Sequence, residues 1–181
     1  MLIKIAAVLG VLIVIFLIAA AFQPSDFRVM RSTSISAPPA VAFAQINDLH
    51  RWQEISPYAK LDPAAKYTFE GPAAGTGASL AWAGNARIGA GRMTIIDSRR
   101  DELVRMKLEF VKPFTSTCEA EFTFKAGGGQ TLVTWSMAGP KNFVSKAMGL
   151  VMNMDRMIGT QFEDGLASLK TKSEAIARQP R

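Results

Sequence analysis

The sequence predicts an α+β domain: an antiparallel sheet wrapped on a long C-terminal helix, preceded by one N-terminal transmembrane helix. Three observations carry that prediction. Between Lys66 and Met137, apolar and polar residues alternate at period two in about six runs, broken by turns such as Gly71-Pro72 and Gly127-Gly128-Gly129. From Gly139-Pro140-Lys141 to Lys172 the apolar period becomes helical. Leu2 to Phe22 is apolar apart from Lys4. About twenty such residues are enough to cross a hydrocarbon core as a helix.

The N-terminal run reads as a retained signal-anchor, with a cleaved signal peptide ending at Ala19-Ala20-Ala21 as the alternative. Lys4 on one flank and Arg28 and Arg31 on the other leave the charge rule undecided. The very short leading tail points to a single-pass membrane protein with its domain outside the cytoplasm. Residues 23–26 form a polar linker, 27–172 the domain, and 173–181 a polar tail. The 181 residues suffice for one proper core and not for two.

Phe27 to Ser36 reads as a first strand, with Phe27, Val29 and Ile35 on one face and Arg31 and Thr33 interrupting it. Ala37-Pro38-Pro39 ends it, and Pro39 suits the first turn of a helix through Asn47. Asp48 to Trp52 makes a second short helix, followed by the turning stretch Ser56-Pro57-Tyr58. The later strands put Leu80 and Trp82, then Met93 and Ile95, on one face each. Val104, Met106, Leu108 and Phe110 follow, then Cys118, Ala120, Phe122 and Phe124, and finally Val133, Trp135 and Met137. Such alternation means one dry face and one wet face, and the dry face needs a cover.

The closing helix supplies it, about eight turns long, with Val144, Met148, Val151, Met152, Ile158, Phe162, Leu166 and Leu169 on one stripe. Asp155 falls in the middle of that stripe, where a carboxylate needs a partner or a wet cavity. It reads either as a satisfied structural acid or as a polar group inside a ligand cavity. Arg31 is placed to pair with it as the cavity's polar anchor. Met106, Met137, Met148 and Met152 converge on the same space, and methionine suits irregular gaps and varied apolar ligands alike. Trp82 and Trp135 lie on the dry face as core packing or cavity lining.

Other chemistry is thinly supported. One cysteine and one histidine leave no disulfide and no metal site to expect. His50 sits on a short polar helix without a second catalytic member, and reads as a solvated surface residue. Cys118 reads as a small apolar residue. The glycine run 127–129 lies between strands, so it is a hairpin turn and not a phosphate loop. The net charge of +6 comes from scattered residues without a recognised motif, so no nucleic acid is expected.

The run Arg31 to Phe43, then Asp48-Leu49-His50-Arg51-Trp52 and Ser56-Pro57-Tyr58, resembles the opening of the polyketide cyclase/dehydrase and lipid-transport family. Met157-Ile158-Gly159 with Phe162 to Lys170 is similar to that family's closing helix. The family belongs to the START-like (SRPBCC, Bet v-like) superfamily, so the resemblance implies a helix-grip fold over about Phe27 to Lys172. It implies binding of apolar molecules and carries no catalytic motif, cofactor or metal onto this chain. The resulting expectation is membrane-tethered binding or transport of a hydrophobic small molecule, lipid or isoprenoid-like, between sheet and C-terminal helix. Arg31, Trp82, Met106, Phe110, Trp135, Met148, Met152, Asp155 and Phe162 are the candidate ligand-binding residues. The alternatives are a cyclase/dehydrase-like enzyme using Asp155 as acid or base, and a protein-interaction module at the membrane. The oligomeric state is left open.

Overall fold

The sheet closes on itself in sequence. β1 (Asp26–Ile35) does not pair with the strand that follows it but with the last one, β7 (Gln130–Pro140). Between them run β2 (Lys66–Glu70), β3 (Ser79–Ala83), β4 (Ala90–Arg99), β5 (Leu103–Lys112) and β6 (Ser116–Gly127) as an antiparallel meander. The order is β1-β7-β6-β5-β4-β3-β2, seven strands in all. The computed structural model describes residues 2–179.

Two short helices carry the chain from β1 to the far edge: α2 (Pro39–Asn47), which begins on a proline, and α3 (Leu49–Ile55). Asp48 caps α3, its carboxylate accepting from the amides of His50 at 2.9 Å and Arg51 at 3.4 Å. β4 carries an irregularity between Ile95 and Asp97, which leaves Ile96 without a register partner and helps the sheet curl. The alternation read from the sequence survives packing. Val104, Met106, Ala120, Phe122, Phe124, Val133 and Trp135 all lie in the buried core with Phe162, Leu166 and Leu169 from the last helix.

The closing helix is not continuous. α4 (Phe143–Val151) and α5 (Met154–Ala177) are separated by Met152, extended at φ −126, and Asn153. Each has its own asparagine cap: Asn142 accepts from the Ser145 amide at 2.8 Å, Asn153 from the Arg156 amide at 2.9 Å. Two side-chain caps within eleven positions offer the backbone a stop and a restart that apolar periodicity alone does not register. The break resets the helical phase. Val144, Met148, Val151 and Met152 are exposed, while Phe162, Leu166 and Leu169 are buried as expected. The stretch expected as a polar tail from 173 is helical through Ala177, with Ser173 buried; its last two residues lie outside the described part.

The N-terminal expectation is corrected. Among the described residues no helix is long and apolar enough to cross a membrane. α1 (Leu2–Ala21) carries large exposed apolar side chains from Ile5 to Ile18. Lys4 lies in its first turn, and near its end Ala20 is fully buried, with α1 packing on α4. The transmembrane signal-anchor, the single-pass membrane localisation and the domain orientation drawn from them are therefore withdrawn. Met1, part of the same segment, lies outside the described residues.

Candidate functional site

Seven curled strands and one long helix enclose more space than their side chains fill. The dry face of β3 to β7, α5 and the loops at one end of the sheet surround a cavity of about 430 Å³. That lies within the range of about 300–1,000 Å³ usual for small-molecule pockets. Its lining is mainly apolar: Leu80, Trp82, Met93, Met106, Leu108, Phe110 and Phe122 from the strands, with Met154, Met157, Ile158 and Phe162 from α5.

An aromatic stack forms the inner wall. The Trp135 ring lies 3.9 Å from Phe162 and 4.8 Å from Phe122, both stacked, and Trp52 meets it edge-on at 5.2 Å. Gly165 makes room for this packing, since a Cβ there would sit 2.8 Å from the Trp135 ring and 3.1 Å from Pro57. The indole N–H groups of Trp52 and Trp135 are buried without an acceptor. Trp82 is pinned differently: its Nε1 donates to the Ile88 carbonyl at 3.0 Å and its ring meets Phe110 edge-on. Gly91 leaves space for that indole, because a Cβ would lie 2.6 Å from it.

Polar groups are few. Tyr58 and Cys118 both line the cavity. Burial raises the Tyr58 phenol well above its ordinary range, and pushes the Cys118 thiol up to about 11. Gln53, Ser56, Ser116, Thr117, Asn142 and Ser145 complete the neutral polar lining.

Of the residues singled out in the sequence, Trp82, Met106, Phe110, Trp135, Met148 and Phe162 line this cavity. Arg31, Met152 and Asp155 do not. Met152 and Asp155 border a shallower depression between α4 and α5. Arg31 and Asp155 do pair, at 2.9 Å, and Arg31 Nε donates to Glu163 at 2.7 Å, but at the contact between β1 and α5, outside the cavity. The guanidinium lies flat on Gly159, where a Cβ would come within 2.0 Å of it, so Asp155, Gly159 and Glu163 form a cradle at four-residue spacing. Asp155 sits in the first turn of α5, favoured there by the helix dipole, and its carboxyl is held below the usual range chiefly by its hydrogen bond to Arg31. His50 is exposed and stacks on Phe69, with ring centroids 3.7 Å apart.

The sequence reading missed lining residues from loops, Tyr58, Arg87, Phe114 and Lys141, and from the ends of elements, Phe27, Lys112, Met154 and Met157. Period-two alternation marks strand faces and is silent on loops. The aromatic Tyr58 and Phe114, each beside or near a proline between regular elements, were the available signal. Among the described residues no cluster of histidine, cysteine and carboxylates is arranged to hold a metal ion.

Comparison with known proteins agrees with this architecture. The family described as polyketide cyclase / dehydrase and lipid transport matches residues 26–174. Among solved structures, the major latex-like protein 151 of Panax ginseng superposes with a TM-score of 0.57 at 17% identity, covering 86% of this chain and 100% of its own. The Aha1 protein of Colwellia psychrerythraea, solved as a dimer in solution, gives 0.58 at 14% identity, with 84% and 99% covered. At such identities the likeness speaks for the fold alone. No curated protein matches the sequence.

Proposed function

Because the chain belongs to the polyketide cyclase/dehydrase and lipid-transport family of the START-like superfamily, we propose that it binds and carries a hydrophobic small molecule, lipid or isoprenoid-like, in the cavity between sheet and α5. The observation that carries this reading is the lining. A cavity of about 430 Å³ is walled by aromatic, methionine and aliphatic side chains, with no carboxylate and no histidine among the lining residues. Acid–base turnover needs a group that titrates near the working pH within hydrogen-bond reach of the reacting atom, and burial raises both the Tyr58 phenol and the Cys118 thiol of the lining, away from neutral pH. Asp155, the candidate for it, is spent on Arg31 outside the cavity. Binding is therefore favoured over cyclisation or dehydration. Trp82, Met106, Phe110, Trp135, Met148 and Phe162 are the proposed contacts, and the methionines give the wall its tolerance of shape.

The test is native mass spectrometry of the full chain purified from its own host, followed by solvent extraction. A defined apolar molecule should co-purify with the wild type. It should be absent from Leu108→Trp, which places an indole in the cavity from a strand position already facing it. An empty wild-type chain that also takes up no added lipid would overturn the reading.

A further inference from the structure

We propose that the occupant of this cavity is an anionic amphiphile, an apolar body ending in a carboxylate or phosphate, whose head is held at the mouth by Arg87, Lys112 and Lys141. The assignment rests on the binding function proposed above and names its ligand class. The chain holds fifteen acidic residues, yet none lines the cavity, while Arg87, Lys112 and Lys141 do. The three come from separate parts of the chain: the β3–β4 connection, the end of β5 and the residue after β7. Folding brings them to one end of the sheet. Ala90, which follows the first connection, pairs in register with Lys112, and Cys118 of β6 packs where Gly139 leaves no side chain, just before Lys141.

Their side chains are also free. None of the three makes an ion pair or a side-chain hydrogen bond with the described residues. Several cations elsewhere are taken, Arg92 by Glu70, Arg105 by Glu121, Lys107 by Glu109 and Lys172 by Glu54, while others such as Lys66 and Lys125 are likewise free but lie outside the cavity lining. Asp62, a carboxylate at this end, is occupied by the amides of Ala64 and Asn85 and stays out of the lining.

The physics favours this division of labour. An anion buried among the aromatic side chains would be costly to desolvate. At the mouth it keeps its water while the cations attract it, and the apolar walls focus their field. Arg87 and Lys112 are exposed and Lys141 half-buried, so their stems can lie along the apolar rim with their heads toward water. The same rim repels a cationic head and is indifferent to a neutral one.

The experiment titrates the full chain with three matched probes, dodecanoate, dodecyl phosphate and methyl dodecanoate, by calorimetry at low and high salt. We expect at least one anion to bind about tenfold more tightly than the ester, with the gap narrowing as salt rises. The tighter anion names the head, carboxylate or phosphate. In the Lys112→Gln, Lys141→Gln double variant the gap between anion and ester should shrink; the salt series on the wild type gives the same answer without any substitution. Equal affinity for ester and anions, or a gap that survives both salt and the double variant, overturns the head-group assignment and leaves the cavity's binding role standing. Failure of all three probes overturns both.

Discussion

Cys118 shows how far one side chain's behaviour follows from its surroundings. It lies 7% exposed on the dry face, beside Tyr58, and burial raises its thiol from an ordinary 9.0 to about 11. A thiol harder to ionise in the folded state stabilises the fold while it stays protonated. That contribution is complete below pH 9 and is lost as pH rises through 11. Tyr58 is shifted in the same direction for the same reason. We expect stability measured by urea unfolding to decline across that alkaline window, and Cys118→Ala to flatten the first part of the decline. A wild-type profile that stays level from pH 9 to 11 would refute this. Asp155 illustrates the opposite sign. Its carboxyl, lowered by Arg31, stabilises the fold fully above the ordinary carboxylate range, and that contribution is lost as pH falls from there through the lowered folded-state value.

At the scale of elements, the break between α4 and α5 decides more than its length suggests. An uninterrupted helix would carry α4 straight on into α5. The restart at Asn153 instead sets Asp155 in the first turn of α5, where it meets Arg31 of β1, and leaves α4 over the cavity mouth with Met148 and Ser145 facing in. Asn153 supplies the only side-chain bond to the first-turn amides of α5. Asn153→Ala is expected to cost about 1 kcal/mol by denaturant titration, within the usual range of about 0.5–2 for a lost cap. A loss near zero would mean that packing of α5 on β1, and not the cap, sets where the helix begins.

For the whole molecule, the cavity and the core share one wall. Phe122 is 1% exposed, stacks on Trp135 and meets Trp52 edge-on at 5.5 Å, while its other side borders the cavity. Phe122→Ala removes a full aromatic side chain and merges its volume with a space already open. The loss of stability should therefore be near the full range for such truncations, about 3–5 kcal/mol by denaturant titration, because the site cannot collapse to recover contacts. A cost below about 2 kcal/mol would show instead that α5 moves inward and fills the gap.

Much of this was legible in the residues themselves. Alternation placed Met106, Phe122 and Trp135 on the dry face, turn residues separated the strands, and the stripe of Phe162, Leu166 and Leu169 named the covering helix. These are local properties: which face a side chain takes depends on its position in a repeating backbone, and burial then follows from hydrophobicity. What only the tertiary structure decided are the features that depend on phase and on distant partners. The packing of α5 on β1 paired Asp155 with Arg31 outside the cavity. α1, whose apolarity had suggested a membrane span, packs on α4, with Ala20 fully buried near its end. The mouth gathered Arg87 and Lys141 from connections that no periodicity describes, and Lys112 from the end of β5. Spacing along a chain constrains neighbours within an element; it does not constrain which loops meet at the end of a curled sheet, because that is set by register and closure across all seven strands.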